Sequence, residues 1–347
     1  MNERRLLVVY TGGTFGMRDL GSGLEATDDL GAEIASLVAG YDAQRRTRSR
    51  WAFVKSECVI DSAEATQQTM VDWAAEIRMK LQSADCEETY TGVLVIHGTD
   101  TLAYTAARMA FELADLRVPI VFTGSQLPLH LPGSDAPSNF EFALDVLSGT
   151  ITGGTWVAFD HQLHPAVRVS KYSSESRSGF ASPRALAPVV DSSLAHAVAD
   201  RFTEAEVSAI RKVGVLSVFP GMASEQVRAA LACYPDGLIL ECYGAGTAPV
   251  STPGILDDLG AAIDGGTTVV AVTQCQTGSV DLSRYAVGSA LARVGVLSGG
   301  DMTVEAALGK LGYLAGKYLD ASTMRSALAS NFIGEMHSPA VSAGPSL

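Results

Sequence analysis

Short apolar runs alternate with longer amphipathic stretches along the first half of the chain. Leu6-Leu7-Val8-Val9-Tyr10 is apolar at every position and predicts a buried strand. Phe53–Ile60, Gly92–His97 and Pro119–Thr123 predict three more, and Thr155–Asp160 a further one. Between them, Thr66–Leu81 and Thr101–Ala114 carry apolar residues at helical spacing. Ser138-Asn-Phe-Glu141 has the capping-box pattern and predicts a helix that opens there and runs to Leu147. Continuous apolar strands separated by helices belong to a parallel sheet covered on both faces.

The texture changes after Asp160. Pro165, Pro183, Pro188 and many serines predict hairpins and irregular chain up to Val190. A linker is expected over 191–205, overlapped by a second capping-box pattern, Thr203-Glu-Ala-Glu206. The α/β rhythm then resumes. Strands are expected at Val213–Val218, Gly237–Glu241 and Thr268–Thr273. Helices are expected at Ser224–Ala232, Gly254–Ala262, Tyr285–Val294, Thr303–Leu314 and Asp320–Ser330. The predicted fold is α/β, with two α/β domains and mostly parallel sheets. The larger, doubly wound domain takes residues 1–190 and the smaller takes 206–347.

Composition narrows the function classes. The chain has 347 residues, enough for two cores, and 47% of them are hydrophobic, which excludes wholesale disorder. A net charge of −13 argues against nucleic acid and anionic membrane as partners. The one basic run, Arg45 to Arg50, is too short to reverse that and fits a solvated loop or a subunit contact. Five cysteines are odd in number and widely spaced, without C-x-x-C, so neither a zinc site nor a redox pair is signalled. Reduced thiols, the short apolar run near the N-terminus and the lack of any span-length apolar segment predict a cytoplasmic protein.

The predicted strands of the first half share a feature at their carboxyl ends. The first is followed by Thr11-Gly12-Gly13-Thr14, the second by Asp61-Ser62, the third by Gly98-Thr99-Asp100-Thr101 and the fourth by Gly124-Ser125-Gln126. Each group alone also fits a turn or a helix cap. Together they line the edge of a parallel sheet where ligands bind. Carboxylates for an ammonium, and hydroxyls and N–H groups for a carboxylate, suit a small zwitterion. Nucleotide phosphate loops, the G-x-S-x-G elbow and H-E-x-x-H are all absent. His161 and His164 lack an obvious third metal ligand, and His97 at a strand end reads as structural.

Thr11-Gly-Gly-Thr14, with His97-Gly-Thr-Asp-Thr101 downstream, resembles the bacterial-type asparaginases. The resemblance covers nearly the whole chain. Thr123-Gly-Ser-Gln-Leu-Pro128, Thr273-Gln-Cys275, Tyr285-Ala-Val-Gly-Ser-Ala-Leu291 and Gly300-Asp-Met-Thr-Val-Glu-Ala306 resemble the cytoplasmic type I branch. The resemblance implies hydrolysis of L-asparagine to L-aspartate and ammonia, without metal or organic cofactor. It makes Thr14 the nucleophile and Thr99, Asp100 and Lys171 its supporting set. Asp61, Ser62 and Asp100 would grip the substrate's α-amino and α-carboxylate groups. The backbone at Gly13 and Thr99 would hold the oxyanion, and that of Ser125 would lie near the side-chain amide. It also implies a homodimer or a homotetramer built as a dimer of dimers, with a neighbour's C-terminal domain completing the site.

The chain departs from the family pattern at several positions. A tyrosine is usual on the loop after the nucleophile, and Leu24 takes its place here. Thr247 stands where asparagine is common, and Ser279 near a glutamate of the periplasmic branch. Glu241 replaces an arginine of the second asparagine site of some type I enzymes, so activation through that site is expected to be weak or absent. The missing tyrosine motivates two alternatives: an amidohydrolase for D-asparagine or L-glutamine, and an asparagine-binding protein of weak turnover.

Overall fold

The computed structural model describes residues 5–19, 21, 24–26, 30–83, 89–184, 209–317 and 319–337. They fall into two compact units, one up to Ser182 and the other from Pro183 onward. The predicted linker, 191–205, and the Thr203–Glu206 pattern lie outside the described residues.

The first unit is built on six strands: β1 (Arg5–Gly12), β4 (Arg50–Ile60), β5 (Gly92–Ile96), β6 (Ile120–Thr123), β7 (Thr155–Phe159) and β8 (Gln162–Pro165). Their order is β4-β1-β5-β6-β7-β8. The first five are parallel, and β8 returns antiparallel against β7. Two short ribbons flank this sheet: β2 (Met17–Asp19) with β3 (Leu24–Ala26), and β9 (Ser170–Lys171) with β10 (Phe180–Ala181).

Both faces of the sheet are buried, as the continuous apolar runs require. Leu6, Val8, Tyr10, Leu94 and Ile96 pack with α1 (Gly31–Arg45) and α4 (Ala136–Ser148). The alternate positions Leu7, Val9, Val93 and Val95 are equally buried and point to the opposite face. Helices α2 (Gln67–Gln82) and α3 (Leu102–Glu112) pack against each other.

Several predicted boundaries shift for local reasons. Helix α4 opens at Ala136, two residues before the predicted Ser138, because Pro137 fits a first helical turn. Ser138 therefore lies inside the helix, and its hydroxyl pairs with His161 Nε2 at 3.0 Å. Strand β7 stops at Phe159 because Asp160 and His161 both take positive φ, 46° and 58°, and turn the chain into β8. Helix α1 is absent from the predicted elements. Its buried stripe, Ile34, Val38 and Tyr41, is thin and set among Ala, Gly and polar residues.

The second unit is a four-stranded parallel sheet of β11 (Val213–Ser217), β12 (Gly237–Cys242), β13 (Thr268–Thr273) and β14 (Leu297–Ser298), in that order. Helices α5 (Ser224–Cys233) and α6 (Ile255–Asp264) share a core with Leu238, Leu240 and Ala271. Helices α7 (Ala286–Arg293), α8 (Val304–Ala315) and α9 (Ala321–Ala329) complete it. Helix α8 touches β11, β12 and β13. Among the described residues, no helix is long and apolar enough to cross a membrane.

One buried ion pair ties α8 to the chain after α9. Lys310 Nζ lies 2.7 Å from Glu335 Oε1, and both side chains are fully buried. Lys310 also donates to the carbonyls of Leu328 and Ser330, and its Nζ lies 4.4 Å from the Phe332 ring centroid. Glu335 accepts from the N–H groups of Phe332 and Ile333. Burial lowers the Lys310 pKa, and the Glu335 charge opposes that shift. Breaking such a pair on one side leaves a buried charge without its partner, at a cost of about 3–5 kcal/mol. Glu335→Gln is therefore expected to lower the thermal midpoint sharply. The double variant Lys310→Met with Glu335→Leu removes both charges but strands the Phe332 and Ile333 N–H groups, so it is expected to recover only part of that loss in the same melting experiment.

Candidate active site

In chain order the five parallel strands of the first sheet run 2-1-3-4-5, so the order reverses between β1 and β5. A crevice forms at the carboxyl ends of strands at such a switch point. Thr14 follows β1 there, and Thr99 follows β5.

Glycines bring these ends together. Gly12 and Gly13 have φ of 115° and 85°, a region that disfavours side chains. A Cβ on Gly12 would stand 2.0 Å from the Ile60 carbonyl oxygen, and one on Gly13 would stand 2.1 Å from Gly98 Cα. A Cβ on Gly98 would meet Ser62 Oγ at 2.4 Å. The residues before Thr14 and before Thr99 are thus in backbone contact, and Ser62 presses on the same point. Thr14 opens a single 3-10 turn, Thr14–Gly16. Among the described residues nothing hydrogen-bonds its hydroxyl.

Lys171 reaches this crevice from β9. Its ammonium donates to Thr99 Oγ1 at 2.9 Å and to Asp100 Oδ1 at 2.6 Å. The Lys171 side chain is 18% exposed and that of Asp100 65%, so the pair has one shielded and one solvated end. With Thr99 Oγ1 accepting from Lys171, the Thr99 hydroxyl proton remains free to point into the crevice.

The other predicted residues divide in two groups. Ser62 is 3% exposed and its carbonyl accepts from the Thr101 hydroxyl at 2.8 Å. Ser125 is also buried, and its hydroxyl donates to the Leu127 carbonyl at 2.7 Å. Asp61 stays exposed at the rim, where its carboxylate accepts from the Ala63 N–H at 3.0 Å. Leu24 lies in β3. Thr247 and Glu241 belong to the second unit, where Thr247 bridges to Tyr243 and Glu241 accepts from the Ser217 hydroxyl. Asp135 and Asn139, which hold the Ser125 loop, are absent from the sequence reading. They stand four residues apart at the opening of α4, a helix that carries other polar residues and so offers no distinct signal for them.

His97 lies beneath the crevice as a structural residue. Thr11 donates its one hydroxyl proton to the Ile96 carbonyl at 3.0 Å, so it accepts from His97 Nδ1 at 2.7 Å. Nε2 then accepts from the Thr105 hydroxyl at 3.0 Å. The edge of Trp73 closes the site, its ring centroid 5.1 Å from the imidazole. Burial lowers the His97 pKa to about 3, so the ring is neutral at physiological pH. Its ordinary value is 6.5, and the unfolded chain therefore takes up a proton that the folded chain refuses. The stability this group contributes is complete above pH 6.5 and is lost as the pH falls toward 3. Urea unfolding at pH 6.5 and pH 5 is expected to show about 2 kcal/mol of loss from this group. His97→Gln is expected to flatten that slope, whatever its effect on stability at pH 7.

Comparison with known proteins places this geometry. A family model described as asparaginase, N-terminal, matches residues 5–197, and one described as glutaminase/asparaginase C-terminal domain matches residues 212–328. L-asparaginase 1 of Escherichia coli is 32% identical over 97% of this chain and 99% of its own length. The solved thermostable L-asparaginase from Thermococcus kodakarensis superposes with a TM-score of 0.79 at 29% identity, covering 96% of this chain and 99% of that one. L-asparaginase I from Vibrio cholerae gives 0.78 at 28% identity, with the same coverage. With both halves matched, and the match extending over nearly all of its length, the chain belongs to the asparaginase family.

Proposed function

We propose that this protein hydrolyses L-asparagine to L-aspartate and ammonia through a threonine nucleophile. The asparaginase reading follows from the family, and the roles of individual residues are our inference from the geometry. The observation that carries them is the contact of Lys171 with Thr99 and Asp100, beside the turn that presents Thr14. Thr14 Oγ1 attacks the side-chain amide carbon, the C–N bond breaks, and the hydroxyl proton ends on the departing ammonia. The product is a β-aspartyl ester. Water then cleaves the ester, returning a proton to Thr14 and releasing L-aspartate. Lys171 holds Thr99 oriented and offsets charge developing on the proton path. The backbone N–H groups near Gly13 and Thr99 face the oxyanion, where each donor contributes about 3 kcal/mol. Asp61, Ser62 and Asp100 receive the α-amino and α-carboxylate groups, and the Ser125 backbone meets the amide.

We assign catalysis to residues 1–190, a linker to 191–205 and a C-terminal α/β domain to 206–347. The protein acts as a homodimer or as a dimer of dimers, a neighbour's C-terminal domain completing each site. A cytoplasmic setting is supported by the free thiols of Cys58, Cys233, Cys242 and Cys275.

Ammonia release from L-asparagine tests the reading. Wild-type protein is expected to turn over, and Thr14→Ala to lose at least about 1,000-fold in kcat. Wild-type rates in Thr14→Ala would sink the nucleophile assignment. Lys171→Met is expected to lower kcat about 100-fold or more while KM moves far less, since the lysine supports the reacting hydroxyls. D-asparagine and L-glutamine in the same assay decide whether Leu24, in place of the loop tyrosine, accompanies a different amide preference.

A further inference from the structure

Lys171 sits on a ribbon too short to fix itself. Strands β9 and β10 have two residues each, and Lys171 stands opposite Phe180 in their register. A two-stranded hairpin on its own is marginal in water. The turn between the strands is shaped from within. The Ser173 hydroxyl oxygen accepts from the Glu175 and Ser176 N–H groups at 3.4 and 3.0 Å. The Tyr172 and Ser173 N–H groups donate to the Gly179 carbonyl at 2.9 and 3.2 Å. These bonds set the form of the hairpin but not where its lysine points. Lys171 must nevertheless bring Nζ to 2.9 Å from Thr99 Oγ1, across 72 residues of chain. A misplacement of about 1 Å at a reacting centre can cost about 100-fold in rate.

Ties from outside place the hairpin. Phe180 packs edge-on against Phe159 of β7, with ring centroids 4.9 Å apart, which seats the ribbon but leaves its turn free. Arg177 donates to the Gly133 carbonyl at 2.8 Å and Gln162 Nε2 to Ser178 Oγ at 3.0 Å, both at exposed positions where water competes. The half-buried tie is Gln126, whose side-chain amide donates to the Ser176 carbonyl at 3.0 Å. Its root is held as well: the Gln126 N–H donates to both oxygens of the buried Asp135 carboxylate, at 3.1 and 2.9 Å. The hairpin leaves room for this amide. A Cβ on Gly179 would stand 2.6 Å from Gln126 Nε2. Gly179 does not take positive φ, so space for the amide, not backbone strain, is the reason for glycine there.

We propose that Gln126 is a positioning residue that locks the β9–β10 hairpin to the loop after β6 and so holds Lys171 on Thr99. The proposal rests on the asparaginase reading, in which Lys171 supports the reacting hydroxyls. No bond forms or breaks at Gln126. The support runs from Asp135 at the start of α4, through the Gln126 backbone and side chain, to Ser176 and along the hairpin to Lys171. A carbonyl acceptor requires the –NH2 end of the amide to face it, which fixes the side chain's orientation. A neutral amide also makes the tie without adding a charge that would compete with Asp100 for the lysine.

The test measures ammonia release from L-asparagine by wild type, Gln126→Met, Gly179→Ala, Lys171→Met and the double variants of the first two with Lys171→Met. Circular dichroism and melting report folding. Gln126→Met keeps the length of the side chain and removes the donor. Gly179→Ala drives the amide off its acceptor from the other side and alters neither Gln126 nor Lys171. Each is expected to lower kcat about tenfold or more while KM stays within about threefold. In the Lys171→Met background the same changes are expected to cost less than about twofold, because the group they position is gone. Should Gln126→Met fail to fold, Gly179→Ala carries both comparisons. A wild-type kcat in the folded variants, a rise in KM in place of the fall in kcat, or the full loss repeated in the Lys171→Met background overturns the proposal alone. Wild-type protein that releases no ammonia overturns the asparaginase reading, and Lys171→Met with a wild-type kcat overturns the role of the lysine; the proposal falls with either.

Discussion

A Cβ atom on Gly13 would stand 2.1 Å from Gly98 Cα, and this exclusion governs the site. Two strand ends meet backbone to backbone at the point where strand order reverses. No residue with a side chain permits that approach, and φ of 85° at Gly13 adds a second reason for glycine. Thr14 and Thr99 follow directly after the contact, so their spacing is set by main-chain sterics rather than by flexible side chains. Ser62 is drawn to the same point through Gly98. A preorganised arrangement of this kind needs little reorganisation when substrate binds.

Around that contact, charge is placed sparingly. The neutral imidazole of His97 fills the space beneath it, held between Thr11 and Thr105, and contributes hydrogen bonds without a charge. Lys171 brings a cation that bonds Thr99, and Asp100 balances it from the solvated side. Among the described residues, Asp135 is buried without a cationic partner and accepts from N–H donors. The second unit solves a different problem with opposite means: Lys310 and Glu335 are both fully buried and depend on each other.

Much of this was legible in the sequence. The apolar runs at Leu6–Tyr10, Gly92–His97 and Thr268–Thr273 could be placed because a doubly covered parallel strand is apolar at both parities. The Thr11–Thr14 and His97–Thr101 motifs marked the strand ends because glycines and hydroxyl residues follow the apolar runs there. Helix α1 escaped because its buried stripe is only Ile34, Val38 and Tyr41, too sparse for periodicity to reveal. The capping-box pattern at Ser138 misled because it sits two residues inside a helix that Pro137 already opens.

What the sequence determined by itself was local in origin: periodicity, turn chemistry and the motifs at strand ends, each carried by a few consecutive residues. From these follow the α/β class, the family and the identity of the nucleophile expected of it. The tertiary structure alone decided which distant groups meet. Lys171 reaches Thr99 across 72 residues, Asn139 reaches Asp160 across 21, and Lys310 finds Glu335 through the packing of α8. No short window encodes such pairs, because their energies depend on burial and on angles set by the whole sheet.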